Sequence, residues 1–246
     1  MLINPEIRKI LPTRSSDFDE LERHFIALQE RFYSRTVTRP NQRASLGDIS
    51  IIYLLSTLVR CISLLEGLGV TLNSHSVLPS FLIVRAQYEA TRAIAFFLRE
   101  LKKFKSGSCT EIDLSKTIRK MTLGMKNLPD KDHPRRARVP LIDNVMNYID
   151  EADRFIKQNL TVKKKFPLRT NYDFLSEFCH PNAYGLMIGR KINKGVIEYE
   201  RAPELSEKHL TTLLTHILPS SLIFLVLFDQ AWKVITEAFD VPELHK

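Results

Sequence analysis

Apolar residues recur every three or four positions through most of this 246-residue chain, and this spacing constrains the fold more than any other feature. On an α-helix such residues fall on one face, which is buried by packing against other helices. The spacing predicts seven helices, the first beginning at Ser16 and the others covering 47–68, 80–104, 110–127, 141–160, 169–180 and 204–239. We therefore predict an all-α fold, a bundle of about seven helices in a single domain over residues 1–246.

Two segments depart from simple helical patterning. Pro219 lies inside the last predicted helix and should kink or divide it, because proline lacks a backbone donor. Residues 185–189 and 196–199 flank a turn at 193–195, which predicts a small β-hairpin at about 185–200. Since a lone two-stranded ribbon is marginally stable, we expect the hairpin to be an appendage on the helices.

Composition excludes several classes of function. The chain has only 8 glycines and no Gly-rich phosphate-binding motif. Its three cysteines lack the paired spacing of a zinc site or a disulfide framework, so we expect no metal and no cofactor. No signal peptide is evident, and the longest apolar run, Leu222–Phe228, is too short to span a bilayer. We expect a cytoplasmic protein without a membrane partner.

Positive charge is concentrated in one part of the chain. Residues 101–138 contain 11 Lys and Arg against 4 Asp and Glu, which gives +7 of the total net charge of +8. The polar stretch 128–139 predicts an exposed loop that carries Arg135, Arg136 and Arg138. This pattern favours an anion-binding face with nucleic acid as the partner. The alternative is a solvated surface that only keeps the protein soluble.

The third predicted helix carries charges within an apolar sequence. Arg85, Glu89 and Arg92 are spaced at i, i+4 and i+7, so they share one helix face. Charges on a core-facing helix are costly unless they are paired, and we expect Arg85 and Glu89 to have partners.

The sixth predicted helix carries Tyr172, Ser176 and His180 at i, i+4 and i+8, and His180-Pro181-Asn182 ends it. We expect His180 at the helix corner, and we interpret the neighbouring Cys179 as a core thiol. If this face meets the face of Arg85, the two form a pocket that contains Arg, Glu, Ser, Tyr and His.

Three hypotheses account for this pocket. In the first, His180 is a general acid or base, Arg85 stabilises anionic charge and Glu89 orients a partner. In the second, the same groups bind a carboxylate, a phosphate or a nucleotide, with Tyr172 and Ser176 as ligand-binding residues. In the third, Arg85 and Glu89 form a buried ion pair and His180 caps its helix.

The two helices together resemble a bacterial helical family. Its members pair an R-x-x-x-E helix, here Arg85 to Glu89, with a later Y-x-x-L-S-x-x-x-H-P helix, here 172–181. This family is similar to the HEPN-like superfamily of helical-bundle ribonucleases, toxins and defence-associated proteins. The resemblance covers about 80–200 and implies the bundle fold, with Arg85, Glu89, Ser176 and His180 as characteristic residues.

The resemblance implies a protein of a defence or stress system that binds RNA or, as a metal-independent ribonuclease, cleaves it. HEPN ribonucleases typically place His after Arg with four to six residues between, whereas Arg169 and His180 have ten between them. Binding is therefore expected over cleavage. The alternative is a non-enzymatic interaction module, with a protein partner or a homo-oligomer, in which Arg85, Glu89 and His180 form a structural network. A small-molecule enzyme would need a closed pocket.

Overall fold

The computed structural model describes residues 2–37, 44–123, 145–159, 167–180, 183–194, 196–201, 203–241 and 243–246. Its helices are α1 (Pro5–Ile10), α2 (Ser15–Glu30), α3 (Leu46–Asn73), α4 (Val77–Lys105), α5 (Glu111–Leu123), α6 (Val145–Asn159), α7 (Leu168–Cys179), α8 (Ala183–Met187) and α9 (Glu207–Ala238), with a 3₁₀ turn at Pro12–Arg14. Its strands are β1 (Arg35–Val37), β2 (Arg190–Asn193), β3 (Val196–Tyr199) and β4 (Glu243–His245). The predicted all-α fold is confirmed, and each of the seven predicted helices has a counterpart.

The predicted hairpin is half right. Strand β3 and the turn at Lys194, whose φ is +47°, are confirmed, but 185–189 is not a strand because it contains most of α8. A Cβ atom on Gly185 would lie 2.2 Å from the carbonyl oxygen of His180, so glycine is needed where α8 packs on the end of α7. Gly189 then takes a φ of +80° before β2 begins.

Pro219 does not divide the last helix, since α9 runs without interruption from Glu207 to Ala238. Proline removes one backbone hydrogen bond here. Neighbouring turns are nevertheless fixed by buried contacts, because Leu214 and Ile217 are fully buried and the Ser220 hydroxyl lies 2.9 Å from that of Thr91. Packing therefore keeps the helix continuous.

Strands β1 and β4 were not predicted. They pair antiparallel, with Thr36 opposite Leu244. Each strand has only three residues, which is too short for an alternating apolar pattern to be recognised in the sequence.

Contacts divide the chain into two compact units, and the predicted single domain stays a prediction. The first unit comprises Met1–Arg31, Val59–Thr91 and Lys164–Leu225, and its core includes Phe18, Phe81 and Tyr88. The second unit comprises Phe32–Leu58, Arg92–Lys163 and Val226–Lys246, and its core includes Tyr53, Phe97 and Phe155. The candidate site described below lies in the first unit.

Helices α3 and α9 are long and apolar enough to cross a membrane by length and composition alone. Half of the relevant window of α3 and two thirds of that of α9 are buried within the protein, as is usual for core helices. On α3, Ile51, Leu54, Leu58 and Leu65 are fully buried.

The N-terminal segment docks against α3 at a glycine. The amides of Leu2 and Ile3 donate to Glu22 Oε1 at 2.9 and 3.2 Å, and Asn73 Nδ2 donates to the Leu2 carbonyl at 3.1 Å. A Cβ atom on Gly69 would lie 2.9 Å from that same carbonyl oxygen. Gly69 is therefore required for the close approach.

We expect Gly69→Ala to lower the free energy of unfolding by about 1–3 kcal/mol, because the new methyl group overlaps Leu2. Gly67→Ala is the matched control in the same helix. Its Cβ would meet only the Ile83 side chain at 3.4 Å, so it should raise stability by up to about 1 kcal/mol through helix propensity. Urea denaturation measures both, and equal midpoints for the two variants would contradict the docking.

Candidate functional site

Arg85 of α4 is the centre of a polar cluster with α7. Its Nε donates to Ser176 Oγ at 3.0 Å, and its Nη2 donates to the Tyr172 hydroxyl. The guanidinium carbon also lies 4.8 Å from the centroid of the Tyr172 ring, within cation–π range. Ser176 in turn donates to the Tyr172 carbonyl at 2.8 Å. One arginine thus contacts two successive turns of α7, as the predicted meeting of the two faces requires.

Glu89 and Arg60 complete the cluster. The Tyr172 hydroxyl donates to Glu89 Oε1 at 3.2 Å, and the Arg85 guanidinium lies 3.7 Å from the same oxygen. Arg60 of α3 lies 4.0 Å from the other carboxylate oxygen, Oε2. Two guanidinium groups therefore face a single carboxylate, which leaves an excess of positive charge.

The cluster is neither sealed nor fully open. The side chains of Arg85 and Glu89 are 26% and 28% exposed, Tyr172 is buried, and the side chain of Arg60 is 57% exposed. Burial, together with the Glu89 carboxylate, raises the pKa of Tyr172 above its usual value, and the Arg85 charge opposes this shift. Tyr172 thus remains a neutral hydroxyl that can bridge Arg85 and Glu89 at physiological pH.

His180 does not join the cluster. Helix α7 ends at Cys179, and His180 caps it with an extended backbone, φ −101° and ψ 154°. Its backbone amide donates to the Ser176 carbonyl at 3.1 Å, and its side chain is exposed. Within the described ranges, no hydrogen bond or ion pair joins the imidazole to Arg85 or Glu89. The predicted pocket therefore contains four of its five expected residue types.

Four other predicted site residues are placed elsewhere or lie outside the described residues. Arg92 is half-buried and belongs to the second compact unit. The basic loop 128–139 with Arg135, Arg136 and Arg138 lies outside the described residues, so its role stays a prediction.

The sequence patterns did not predict Arg60 as a member of the cluster or the position of Cys179 beside it. Cys179 follows Tyr172 by seven residues and is half-buried, and the charges of Arg85 and Glu89 both act on its thiol. Burial raises the pKa of this thiol above its usual value, which leaves it protonated and unreactive at neutral pH. The i, i+7 spacing to Tyr172 could have placed Cys179 on this face, and Arg60 is notable as a lone cation within an apolar helix.

A second polar network lies on a neighbouring face of α7. Asn171 donates to the Tyr88 hydroxyl at 3.2 Å, and that hydroxyl lies 3.2 Å from His216 Nδ1 of α9. The Phe174 ring stacks on the His216 imidazole, with the ring centroids 5.2 Å apart. Burial lowers the pKa of His216 and raises that of Tyr88, so both are neutral at pH 7. This network holds α4, α7 and α9 together.

Three lysines of the basic segment, at the end of α4, have partners within the second unit. Lys103 contacts Glu100 at 2.9 Å, and Lys105 contacts Glu237 at 2.6 Å. The Lys102 ammonium lies 5.1 Å from the centroid of the Phe155 ring. These lysines have intramolecular partners, which favours the solvated-surface alternative for α4 and weakens the prediction of a continuous anion-binding face.

The described residues contain no group of three or more His, Cys, Asp or Glu side chains that could hold a metal ion. The side chains of the cluster supply two cations, one carboxylate and two hydroxyls. No protein-family model, curated protein or solved structure matches this chain.

We expect Arg85→Met to lower the free energy of unfolding by about 1–3 kcal/mol, because it leaves Tyr172 and Ser176 without their charged donor. Arg60→Met is the matched control, because it also removes one positive charge beside the Glu89 carboxylate. It should change stability by less than about 1 kcal/mol, because exposed ion pairs contribute little. Urea denaturation of both variants measures the difference, and equal effects would contradict a structural role for Arg85 hydrogen bonds.

Three histidines of the first unit, the buried His24 and the half-buried His209 and His216, predict a pH dependence of stability. Burial lowers the pKa values of His24, His209 and His216 below the unfolded value of about 6.5. In acid, these histidines therefore bind more protons in the unfolded chain than in the folded one. The part of the free energy of unfolding that depends on them is fully present above about pH 6.5 and is lost as the pH falls. We expect His216→Gln to flatten this decline in urea denaturation between about pH 7 and 5. An unchanged slope would contradict the burial of a neutral His216.

Proposed function

We propose that this protein binds RNA by holding a backbone phosphate at the arginine cluster of Arg60 and Arg85. The observation that carries the proposal is the charge imbalance of a partly exposed site, where two guanidinium groups share one carboxylate. Such a site has unneutralised positive charge at the surface. A phosphate oxygen is a good acceptor for a planar guanidinium group, which can donate two parallel hydrogen bonds to it.

Arg60 is the residue that contacts the ligand. It is more than half exposed and only 4.0 Å from Glu89, so its ion pair is weak and is readily exchanged for a phosphate. Arg85 is held by Ser176 and Tyr172 and therefore presents its charge in a fixed place. An exposed cation beside a fixed one is an arrangement suited to an extended anion.

The charge of the whole chain favours RNA as the anion that binds. The net charge of +8 promotes association with polyanions, and the basic stretch 128–139 adds further cations in sequence. The resemblance to HEPN-like helical bundles, carried by Arg85, Glu89, Ser176 and His180, supports the same ligand. A cytoplasmic location and a role in a defence or stress system belong to this proposal.

The proposal is for binding without cleavage. A metal-independent ribonuclease needs an acid or base beside the phosphate and a cation near the developing negative charge. His180 is exposed at the end of α7 and makes no described contact with Arg85, whose own hydrogen bonds go to Ser176 and Tyr172. The arrangement that supports phosphate binding therefore does not support general acid catalysis by His180.

We expect RNA binding that weakens steeply between about 50 and 200 mM salt, because cations on the protein displace counterions from the phosphates. Arg60→Gln should weaken binding and reduce the slope of log K against log salt by about 0.7, the contribution of one phosphate on a single strand. Arg23→Gln is the matched control, an exposed arginine of α2 outside the cluster. Fluorescence anisotropy with a short labelled RNA measures both.

Two further variants separate the parts of the proposal. Changing Arg135, Arg136 and Arg138 together to Ala should reduce binding if the predicted loop contributes. RNA incubated with protein in EDTA should remain intact, and His180→Ala should bind as the unaltered protein does. Equal binding by Arg60→Gln and Arg23→Gln would contradict the cluster as the site, and cleavage that depends on His180 would contradict binding without catalysis.

One observation favours a second candidate, the non-enzymatic interaction module. Arg85 already has two hydrogen bonds and an ion pair inside the protein, as an architectural network requires. In that case RNA should not bind even at low salt, while Arg85→Met still destabilises the fold. The same RNA measurement therefore decides between the two functions.

A further inference from the structure

A groove lies between α2 and α3 of the first unit, and no residue of the arginine cluster lines it. Its walls are formed by residues of 22–29 on α2 and 66–73 on α3, spaced three or four positions apart, so each helix contributes one face. We name it the α2–α3 groove. Its volume of about 420 Å³ lies within the range of small-molecule sites, about 300–1,000 Å³.

Much of the lining of the α2–α3 groove is apolar and accessible to solvent. Ile26 and Val70 line the groove and are 52% and 68% exposed, while Leu2 and Phe25, which also line it, are half-buried. A ligand with an apolar body would remove these side chains from water, which favours binding through the hydrophobic effect. Apolar walls with a few polar groups are typical of small-molecule sites.

The N-terminal segment fixes the shape of the groove. The backbone amide of Leu2 donates to Glu22 Oε1 of α2 at 2.9 Å, and the Leu2 carbonyl accepts a hydrogen bond from Asn73 Nδ2 of α3 at 3.1 Å. Leu2 is thus held against both helices. The groove is therefore present before a ligand arrives, and binding requires little ordering of the protein.

Two carboxylates line the groove, and only one of them is neutralised within the described part of the chain. Glu22 lies 3.0 Å from the Arg8 guanidinium and accepts the backbone amides of Leu2 and Ile3. Glu66 is exposed, and its carboxylate forms no hydrogen bond or ion pair with a described residue. None of the described lining residues is Lys or Arg. The groove therefore combines an available negative charge with apolar walls.

We propose that the α2–α3 groove binds a small organic cation, an ammonium group attached to an apolar ring or chain. Glu66 precedes Val70 by one helical turn, so an ammonium group beside the Glu66 carboxylate places the apolar body of the ligand on Val70 and Ile26. The side-chain carbonyl of Gln29, which also lines the groove, is an acceptor for a second hydrogen bond of the ammonium group. An anion of the same shape is disfavoured, because Glu66 repels it.

The first test compares three ligands of similar shape and different charge at neutral pH, which are 2-phenylethylamine, 2-phenylethanol and phenylacetate. In calorimetric titrations the amine should bind about fivefold more tightly than the alcohol, and phenylacetate should bind more weakly than both. Glu66→Gln should lower the affinity for the amine to that for the alcohol and leave the alcohol unaffected. Glu111→Gln is the matched control, since Glu111 is an exposed carboxylate of α5 in the second unit, and it should change no affinity.

A second pair of variants locates the ligand. Val70→Phe fills the groove and should weaken binding of both the amine and the alcohol about tenfold or more. Val59→Phe is the matched control, because Val59 is 43% exposed on the same helix and does not line the groove. Circular dichroism verifies that all variants remain helical.

Four results would overturn the proposal. They are no binding of the amine at millimolar concentration, equal affinities for the amine and the alcohol, an amine affinity that Glu66→Gln does not change, and equal binding by Val70→Phe and Val59→Phe. None of these results bears on RNA binding at Arg60, which is measured with a different ligand.

Discussion

The hydrogen bonding of Arg85 is the constraint on which the rest of the first unit depends. Arg85 lies on a helix whose neighbouring residues Phe81, Val84 and Tyr88 are almost entirely buried, so its guanidinium group is largely withdrawn from water. A charge in that position is costly unless donors and acceptors satisfy it. Helix α7 supplies both acceptors, so α7 must dock against α4 in one register. The packing of α8 and the hairpin then follows from the end of α7.

The sequence predicts the meeting of α4 and α7 well, because i, i+4 spacing fixes which residues share a helix face. Arg85 and Glu89 meet Tyr172 and Ser176 as expected. His180 was expected at the helix corner, and it does cap α7, which ends at Cys179. Its side chain is exposed and forms no described hydrogen bond or ion pair with Arg85 or Glu89. Helix ends are set by packing, which periodicity does not report.

The errors around α8 have a different cause. A short apolar run between glycines is compatible with a strand or with a buried helical turn, and periodicity alone does not distinguish them. Here Gly185 is required by contact with the His180 carbonyl and Gly189 by its positive φ, which are both tertiary requirements. Arg60 was missed for a related reason. Its partner Glu89 is distant in sequence, and only the fold brings α3 and α4 together.

The arginine cluster gives its two cations different roles within one unit. Glu89 balances the fixed charge of Arg85, so the more exposed Arg60 is left to contact a ligand without loss of the network that holds α7. Tyr172 and Ser176 hold Arg85 by hydrogen bonds, so a ligand that displaces the ion pair between Arg60 and Glu89 does not remove the contact between α4 and α7. The charge that stabilises the unit is thus separate from the charge that is available to a phosphate.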